Sequence, residues 1–429
     1  MKGLRQFVLI SIFSIFPTGR SRAASITDLG VLPGYSNSAA AAISADGKMV
    51  VGACSKYVDG QSIVEPFLWT TEQGIIGLGW PAGSTNFTAT GVSTNGVVVG
   101  NSALSDDTYA FKWSAQTGYV QLTPYFGQSA SAKSISANGQ VIVGVANNQA
   151  AKWNAANEIA LLPFAEARDV SGDGSVIVGI DIGTSPTSYY YIPIRWRDGD
   201  GAKAEDLNTI ENLPEGFTLY TANGVSPDGK YIVGLCKTPL YEEAYLWSEA
   251  DGVKNLGNID GYTYVPPKKT AANPLPIYTE AYSVSNDGSA AVGRNFPGWS
   301  SATFIWTAED GPRTIAQVLN QSAIFDPQWN ATQSLYFGSS TTDISADGSM
   351  IVGSMPRASD GIRAFLLDLR NIKAVQNQSG LQLTWPDGFK LQESEGLNLA
   401  SWHDVPTATS PFPISANGSG QFYRIVTLR

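Results

Sequence analysis

The chain has 429 residues, of which 15% are charged and 11% are aromatic, and it contains 44 glycines. Its formal net charge of −10 disfavours nucleic acid and anionic membranes as partners, because both are bound through clusters of basic residues. The composition is typical of many short strands joined by tight turns, and it excludes a mainly helical or a disordered protein.

Residues 1–24 have the organisation of a signal peptide. Lys2 and Arg5 precede a ten-residue apolar segment, Phe7–Phe16, and small residues around Ala24 offer a cleavage site whose exact bond stays open. The apolar segment is too short to span a bilayer. Cleavage removes four basic residues and no acidic one, which leaves 23 basic and 37 acidic residues and a net charge of −14. We therefore expect an exported mature chain (extracellular, at the cell surface or periplasmic) with no membrane-spanning segment.

The first strand of the mature chain is predicted to close a ring of repeated units. Ser25–Gly30 is similar to the fourth strands of the units described below, such as Lys254–Gly257, whereas the last unit ends near Leu369 without a fourth strand. The N-terminal strand would then complete the last unit and remove two exposed sheet edges.

A motif of the form Ser-x-Asp/Asn-Gly lies between two apolar strands, the second of which ends in Gly, and it occurs seven times. These turn motifs start at Ser44, Ser93, Ser136, Ser171, Ser226, Ser285 and Ser345. A third strand ending in Trp follows six of them, at Trp69, Trp113, Trp153, Trp196, Trp247 and Trp306, and a short fourth strand follows most of these. Four strands per unit, at intervals of 35 to 60 residues, predict a seven-bladed β-propeller over residues 25–370.

The turn motifs and the repeated Trp residues are interpreted as structural. Asp-Gly between two apolar strands favours a two-residue hairpin turn, with positive φ at both central positions and with the Ser and Asp side chains capping the turn. The Gly that ends the second strand marks a close approach of two backbones. A Trp at the same position of each unit predicts packing between blades.

The loops between second and third strands, and between consecutive blades, emerge opposite to the turn motifs, on the side that we call the long-loop face. Their aromatic residues, interspersed with Asn and Gln, suggest a surface that binds carbohydrate or protein. The candidate ligand-binding residues are Tyr189, Tyr190, Tyr191, Tyr262, Tyr264, Trp299, Trp329 and Tyr336. The alternative is that these rings fold back and anchor the loops.

From about Asn371 the turn motif stops, and residues 371–429 contain short alternating runs separated by polar turns. This pattern predicts a small β-sandwich as a second domain. Trp385–Ser394, together with Trp402–Val405 and Phe422–Ile425, resembles a C-terminal module found on many exported bacterial proteins. The resemblance implies an accessory domain for attachment or sorting, and the role of the module in this chain stays open.

The repeated units resemble the HAF-type extracellular repeat family of exported bacterial proteins. The consensus of that family contains Ile-Ser-x-Asp-Gly, Val-Val-Gly and Ala-Phe-x-Trp, as in Ile43–Gly47 and Ala110–Trp113 of this chain. The resemblance covers about residues 25–370, but the His that precedes Ala-Phe in the family is absent. Ser226–Lys230 is also similar to the repeats of TolB-like propellers. Neither resemblance implies catalysis.

The types of residue present exclude several kinds of site. The single histidine, His403, lies in the C-terminal module, so the propeller cannot hold a Ser-His-Asp or Cys-His site or a histidine-rich metal site. Cys54 and Cys236 belong to units too far apart for a disulfide, and we interpret both as reduced, buried thiols. Asp198–Gly201 lacks the ligand spacing of a calcium loop. We predict no cofactor and no metal, and we assign no catalytic residue.

Three functional hypotheses follow. The first is an exported, non-enzymatic binding or scaffold protein that recognises a glycan or an extracellular protein through its long-loop face. The second is a polysaccharide-active hydrolase or lyase with carboxylates in the central funnel, where Asp181, Glu242, Glu243, Asp260 and Glu280 lie in eligible loops. The third is a purely structural surface protein. Carboxylates converging with an Arg in the funnel would favour the enzyme, whereas aromatics and amides alone would favour binding.

Overall fold

The computed structural model describes residues 24–80, 86–104, 107–122, 129–185, 188–199, 203–209, 213–239, 241–259, 277–297, 302–320, 339–357, 361–369, 373–377, 380–384, 389–394, 403–405, 408, 412–414 and 422–427. These residues divide into two compact units, the larger containing Asp28–Ile315 and the described part of 330–366, the smaller containing the strands beyond Leu367. The proposed signal peptide lies almost wholly outside the described residues. None of the described helices is long and apolar enough to cross a membrane.

Four-stranded antiparallel groups follow one another along the larger unit. After β1 (Ser25–Asp28), the first group is β2 (Asn37–Ile43), β3 (Met49–Val58), β4 (Gln61–Thr70) and β5 (Gly74–Gly77). The second is β6 (Phe87–Val92), β7 (Val98–Leu104), β8 (Asp107–Ser114) and β9 (Gly118–Gln121). The third is β10 (Ala130–Ile135), β11 (Val141–Ala146), β12 (Gln149–Asn154) and β13 (Ile159–Leu161). The fourth is β14 (Glu166–Val170), β15 (Val176–Thr184), β16 (Tyr189–Arg197) and β17 (Ala204–Asp206), followed by a 3-10 helix at Leu207–Thr209.

The next two groups share one nine-stranded sheet. Its first half is β18 (Thr218–Leu219), β19 (Gly224–Val225), β20 (Tyr231–Lys237), β21 (Glu242–Ser248) and β22 (Gly252–Gly257). Its second half is β23 (Ile277–Val284), β24 (Ala290–Pro297), β25 (Ala302–Thr307) and β26 (Gly311–Arg313), followed by helix α1 (Ile315–Asn320). The halves are joined by one parallel pair, Glu242 with Tyr278. The last group is β27 (Ser340–Ile344), β28 (Met350–Arg357) and β29 (Gly361–Asp368), with β1 as its fourth strand.

This architecture confirms the predicted all-β propeller fold and its closure by the N-terminal strand. The Leu29 amide donates to the Ala364 carbonyl at 3.1 Å, and Asp28 forms an ion pair with Arg357. Leu29 is buried in a core cluster that contains residues of the first and last groups, including Phe67 and Leu366. The blade number of seven stays a prediction, because two of the four-stranded groups form one continuous sheet.

The turn motifs adopt one hydrogen-bonded geometry, which differs from the predicted two-residue turn. In the first copy the Gly47 amide donates to the Ser44 carbonyl, and the Ser44 hydroxyl donates to Asp46 while accepting from the Met49 amide. Gly47 has a φ of 73°, but Asp46 is not among the residues with positive φ. The prediction of positive φ at both central positions was therefore wrong. The loop is two residues longer, and Ser44 closes it by pairing with Met49.

Two-residue turns with positive φ at both positions lie instead at the opposite ends of the strands. Asp59 and Gly60, with φ of 49° and 81°, connect β3 to β4, and Asn147 and Asn148, with φ of 53° and 58°, connect β11 to β12. These short turns join the second and third strands of their groups at the long-loop face and fix the register between them.

Five of the six repeated Trp residues are buried in the interior as predicted, and Trp113 is partly buried against a core cluster. Trp153 and Trp247, for example, are at most 3% exposed, and Leu367 is fully buried at the equivalent position of the last group. Basic side chains of neighbouring groups cover some of these rings; for example, Arg195 lies over the Trp247 ring at 4.6 Å.

Cys54 and Cys236 are free and buried, and burial raises the pKa of the Cys54 thiol to about 11.

The smaller unit contains two three-stranded sheets. One has the order β30 (Lys373–Asn377), β31 (Gly380–Thr384) and β34 (Phe412–Ile414), and the other has β33 (His403–Asp404), β32 (Phe389–Ser394) and β35 (Phe422–Thr427). Leu383 and Leu391 are buried, one in each sheet, whereas His403 is exposed beside Glu393. The two sheets agree with the predicted small β-rich module, while the boundary at residue 371 stays a prediction.

Candidate functional site

Three of the eight aromatic residues predicted to bind ligand lie within the described residues. Tyr189, Tyr190 and Tyr191 are 81%, 52% and 54% exposed, so these rings face solvent and do not anchor the loop. The other five, Tyr262, Tyr264, Trp299, Trp329 and Tyr336, lie outside the described residues.

The three tyrosines are carried by the β15–β16 hairpin, which extends the fourth group on the long-loop face. Tyr191 lies opposite Ile182, which is 49% exposed, and Tyr190 lies opposite Gly183. A Cβ atom at Gly183 would overlap the Tyr190 ring, so the glycine lets that ring lie across the neighbouring strand. Because the backbone is paired in a ladder, the rings are presented in fixed positions, and binding would cost little further ordering.

Other aromatic residues on the same face behave differently. Tyr57, near the tip of the β3–β4 hairpin, is 75% exposed. Tyr278 instead stacks on Phe296, with ring centroids 4.2 Å apart and an interplanar angle of 19°. Both predicted behaviours, exposed rings and loop anchors, therefore occur, and the tyrosines of β16 belong to the first.

The first strand of each group, which we call the inner strand, lines a central cavity of about 240 Å³. Each inner strand contributes the residue that lies three positions before the Ser of its turn motif. These residues, which we call the cavity ring, are Ala41, Thr90, Lys133, Arg168, Asn223, Tyr282 and Thr342. No member of this ring was predicted from the sequence.

A β-bulge directs six of the seven cavity-ring side chains inward, and the seventh, Asn223, lies between β18 and β19. In β2 the pairing register skips from Ala40 to Ala42, so Ala41 is the extra residue, and equivalent shifts occur in β6, β10, β14, β23 and β27. Opposite each bulge lies the Gly that ends the second strand, and a Cβ on Gly52 would overlap the Ala39 carbonyl oxygen. The repeated Gly was therefore the sequence signal that could have located the bulge, and with it the cavity ring.

A chain of polar contacts begins at the third and fourth groups. Lys133 Nζ lies 3.1 Å from Glu166 Oε1, and Arg168 Nη2 lies 3.5 Å from Glu166 Oε2. Arg168 also donates through Nη1 to Asn223 Oδ1 at 2.5 Å, whereas its Nε is buried without a hydrogen-bond partner. Two cations thus share one carboxylate on this wall of the cavity, beside the carboxyl group of Asp169.

The contacts continue into the sixth group. Asn223 Nδ2 donates to Glu280 Oε1 at 2.9 Å, and the Tyr282 hydroxyl donates to Glu280 Oε2 at 3.0 Å. Arg294 Nε donates to the Tyr282 hydroxyl oxygen, and its guanidinium lies over the Phe296 ring. Burial, together with Glu280, raises the pKa of Tyr282 far above its ordinary value, so the phenol is protonated at physiological pH.

Two half-buried aspartates of the cavity wall link consecutive groups. Asp169 Oδ1 accepts from the Ser134 hydroxyl of the preceding group at 2.7 Å, and Oδ2 accepts from the Val225 amide of the following group at 2.9 Å. Asp343 repeats this arrangement with the Ser283 hydroxyl at 2.6 Å and the Ile43 amide at 2.9 Å. Each aspartate therefore holds three neighbouring groups together from inside the cavity.

The carboxylates considered for an enzyme have different surroundings. Glu243 is buried and accepts from the side-chain amides of Asn255 and Asn258, which marks it as a structural residue. Glu280 is held in the cavity-wall contacts described above, and Asp181 lies in the β15–β16 hairpin opposite Ile192. Glu242 pairs with Lys237 in the neighbouring strand, and Asp260 lies outside the described residues.

The pH dependence of folding is expected to reflect Asp169. Burial raises the pKa of this carboxyl from 3.8 to about 7, and it raises the pKa of Asp343 as well. Because the folded chain binds these protons more tightly than the unfolded chain, stability contributed by protonation is lost as the pH rises from about 4 to about 7. Denaturant unfolding of the wild type and Asp169→Asn at several pH values measures this effect as a difference.

The difference between the two chains isolates Asp169 from the turn carboxylates. Asp46, Asp173, Asp228 and Asp287 have lowered pKa values, from hydrogen bonds that outweigh burial, and they stabilise the fold as the pH rises. Both chains share this opposing contribution, so it cancels. We expect Asp169→Asn to lose stability relative to the wild type below pH 5 and to approach it above pH 7. Parallel pH curves would contradict this prediction.

No protein-family model matches the chain, and no curated protein matches it in sequence. The HAF-type resemblance therefore stays a prediction. Among solved structures, the chain is similar to the β-propeller domain of the Trilobed protease from Pyrococcus furiosus, at 13% identity and a TM-score of 0.47, over 79% of this chain and 97% of that one. It is also similar to the acylaminoacyl peptidase of Pyrococcus horikoshii, at 10% identity and a TM-score of 0.48, over 82% and 58% of the chains.

A third similar structure is TolB from Acinetobacter baumannii, at 12% identity and a TM-score of 0.39. The similarity spans 63% of each chain, so this chain covers less than two thirds of that protein. At these levels of identity and TM-score, none of the similar structures assigns a function to this chain.

Proposed function

We propose that the protein is an exported, non-enzymatic binding protein that holds a glycan on the long-loop face of its propeller. The observation that carries this proposal is the exposure of Tyr189, Tyr190 and Tyr191 on a paired β-hairpin. Exposed aromatic rings on rigid backbone provide flat apolar surface together with a hydroxyl that can donate or accept a hydrogen bond.

The geometry of a strand suits an extended ligand. Tyr189 and Tyr191 are two residues apart, so both point to one side of the hairpin, at a spacing of about 7 Å. Tyr190 points to the other side and lies across Gly183. Successive rings along one side would stack against successive sugar units, and the net charge of −14 expected for the mature chain favours neutral glycans over polyanions.

Replacement of all three tyrosines by Ala is expected to weaken glycan binding by about 30-fold or more, the loss typical of a binding hot spot. The fold should be retained, since truncation of exposed side chains changes stability by only about 0.5 kcal/mol. The measurement is binding to an array of neutral and acidic oligosaccharides, with affinities for the responding glycans determined by calorimetry. Ile76→Ala, which truncates an exposed residue on β5, is the matched control.

Equal binding by the wild type and the triple variant would contradict the role of the hairpin. A wild-type protein that binds no glycan on the array would contradict the glycan proposal and direct attention to an extracellular protein ligand. Release of shorter oligosaccharides from a bound glycan would instead support the hydrolase or lyase hypothesis.

A further inference from the structure

The central cavity has an uneven wall. On one side the cavity ring contributes long polar side chains, Lys133, Arg168, Asn223 and Tyr282, from consecutive groups. On the other side it contributes only Thr342, Ala41 and Thr90. Because all seven residues occupy equivalent positions, the difference in side-chain size leaves open volume beside the small residues, facing the long ones.

Hydrogen-bond donors remain available on the long-chain side. Among the described residues, Lys133 has Glu166 as its only polar partner, although an ammonium group carries three donors, and its side chain is 41% exposed. Arg168, whose side chain is 23% exposed, lines the same cavity beside Lys133.

The acceptors of the cavity wall are, in contrast, occupied. Asp169 accepts hydrogen bonds through both oxygens, from Ser134 and Val225. Asp343 likewise accepts through both oxygens, including bonds from the Ile43 and Ile344 amides. A cavity wall with free donors and occupied acceptors is suited to a ligand group that accepts hydrogen bonds and carries negative charge.

We propose that this cavity binds the carboxylate group of a small ligand, between Lys133 and Arg168 and against the side formed by Ala41 and Thr90. The cavity volume of about 240 Å³ is below the range of about 300–1,000 Å³ that encloses a whole drug-sized ligand, so it suits a single end group. Arg is well suited to planar carboxylates, and charge-assisted hydrogen bonds are about twice as strong as neutral ones. This site is separate from the tyrosine hairpin, and its test does not depend on the proposed glycan function.

Protonation of carboxyl groups in the cavity wall should be coupled to binding of the ligand carboxylate. The charged and titratable groups around the site are Lys133, Arg168, Glu166, Asp169, Asp343, Glu280, Tyr282 and Arg294. The pKa of Asp169, already raised to about 7 by burial, would rise further beside a bound anion. Affinity for the carboxylate is therefore expected to increase as the pH falls from 8 to 6, because protonation of Asp169 removes a repulsive charge.

The test uses matched pairs of probes with the full mature chain. A carboxylate can come from a uronic acid or from the end of a peptide, so one pair is methyl glucuronide with methyl glucoside, and the other is N-acetyl-alanyl-alanine with its C-terminal amide. The site predicts that at least one acid binds in calorimetry and raises the melting temperature, while its neutral counterpart does not. The pair that responds identifies the source of the carboxylate.

Three variants locate the site. Lys133→Met should weaken binding of the acid by about ten-fold or more, whereas Lys230→Met, which removes an exposed lysine of a turn motif, should leave it unchanged. Ala41→Leu keeps every charge but fills the open side of the cavity, and it should also prevent binding. Melting temperatures verify that each variant is folded.

Several results would overturn the proposal. These are the absence of binding by both acids, equal affinities of Lys133→Met and Lys230→Met, or full binding by folded Ala41→Leu. The triple tyrosine variant should bind the acid like the wild type, which distinguishes failure of this site from failure of the hairpin.

Discussion

Deletion of Ser25–Gly30 is expected to destabilise the propeller by about 3–5 kcal/mol and to expose its last sheet to aggregation. The deletion removes the buried Leu29 side chain, worth about 1.5–3 kcal/mol, and a backbone hydrogen bond to Ala364, worth about 1 kcal/mol. It also removes the Asp28 ion pair with Arg357. The unpaired edge of β29 would then be free to pair with another chain.

Thermal unfolding and light scattering measure the two effects. At about 2–4 °C for each kcal/mol, the melting temperature should fall by about 6–20 °C. Asp28→Asn, which keeps the strand and removes only the charge, is the matched control and should lower the melting temperature much less. An unchanged melting temperature in the deleted chain would show that β1 does not hold the ring closed.

Asp343→Ala is expected to cost about 2–4 kcal/mol, a large effect for one half-buried side chain. The change removes the hydrogen-bond acceptor of the Ser283 hydroxyl and of the Ile43 and Ile344 amides, which all donate to this carboxylate. Hydrogen bonds to charged groups contribute about 1.5–3 kcal/mol each, and water in the cavity can replace part of that loss. Asp343→Asn keeps an acceptor oxygen and should recover part of the stability.

Denaturant unfolding provides the measurement, with Asp46→Ala as the control. Asp46 is also a hydrogen-bonded aspartate, but it lies in an exposed turn motif, and its polar partners among the described residues are Ser44 and Lys48. Its replacement should cost about 1 kcal/mol, as for the loss of a capping side chain. Similar losses for the two variants would contradict the role of Asp343 in joining the first, sixth and last groups.

The turn motifs made the propeller fold predictable because each one combines a turn with a strand that ends in Gly. The same repetition identified Ser25–Gly30 as a strand that belongs to the last group, and the exposed tyrosines of β16 were found from loop length and residue type. The turn geometry was predicted wrongly, since Asp-Gly pairs alone do not reveal that Ser44 and Met49 close a longer loop.

The cavity ring escaped prediction for a physical reason. Strand patterns assume that side chains alternate between faces, and a bulge adds one residue that breaks this alternation. Lys133 and Arg168 thus look like solvent-facing residues of an ordinary strand, although the bulge turns both toward the cavity. Asp169 and Asp343 were also missed. Only the fourth and last groups have an Asp two residues before the Ser of the turn motif, so this position is not part of the repeated pattern.

Closure by β1 has a consequence for the order of folding. Asp28 and Arg357 are 329 positions apart, so the contact that completes the last sheet has a very high sequence separation and a large loop-closure entropy. Because β1 is synthesised before the last hairpin of the propeller, it must wait for that hairpin before it finds its partner. During that interval β1 is protected from wrong pairing by being only four residues long and by carrying Ser25, Thr27 and Asp28. We expect the final step of folding to be slow and to follow, rather than precede, formation of the individual sheets.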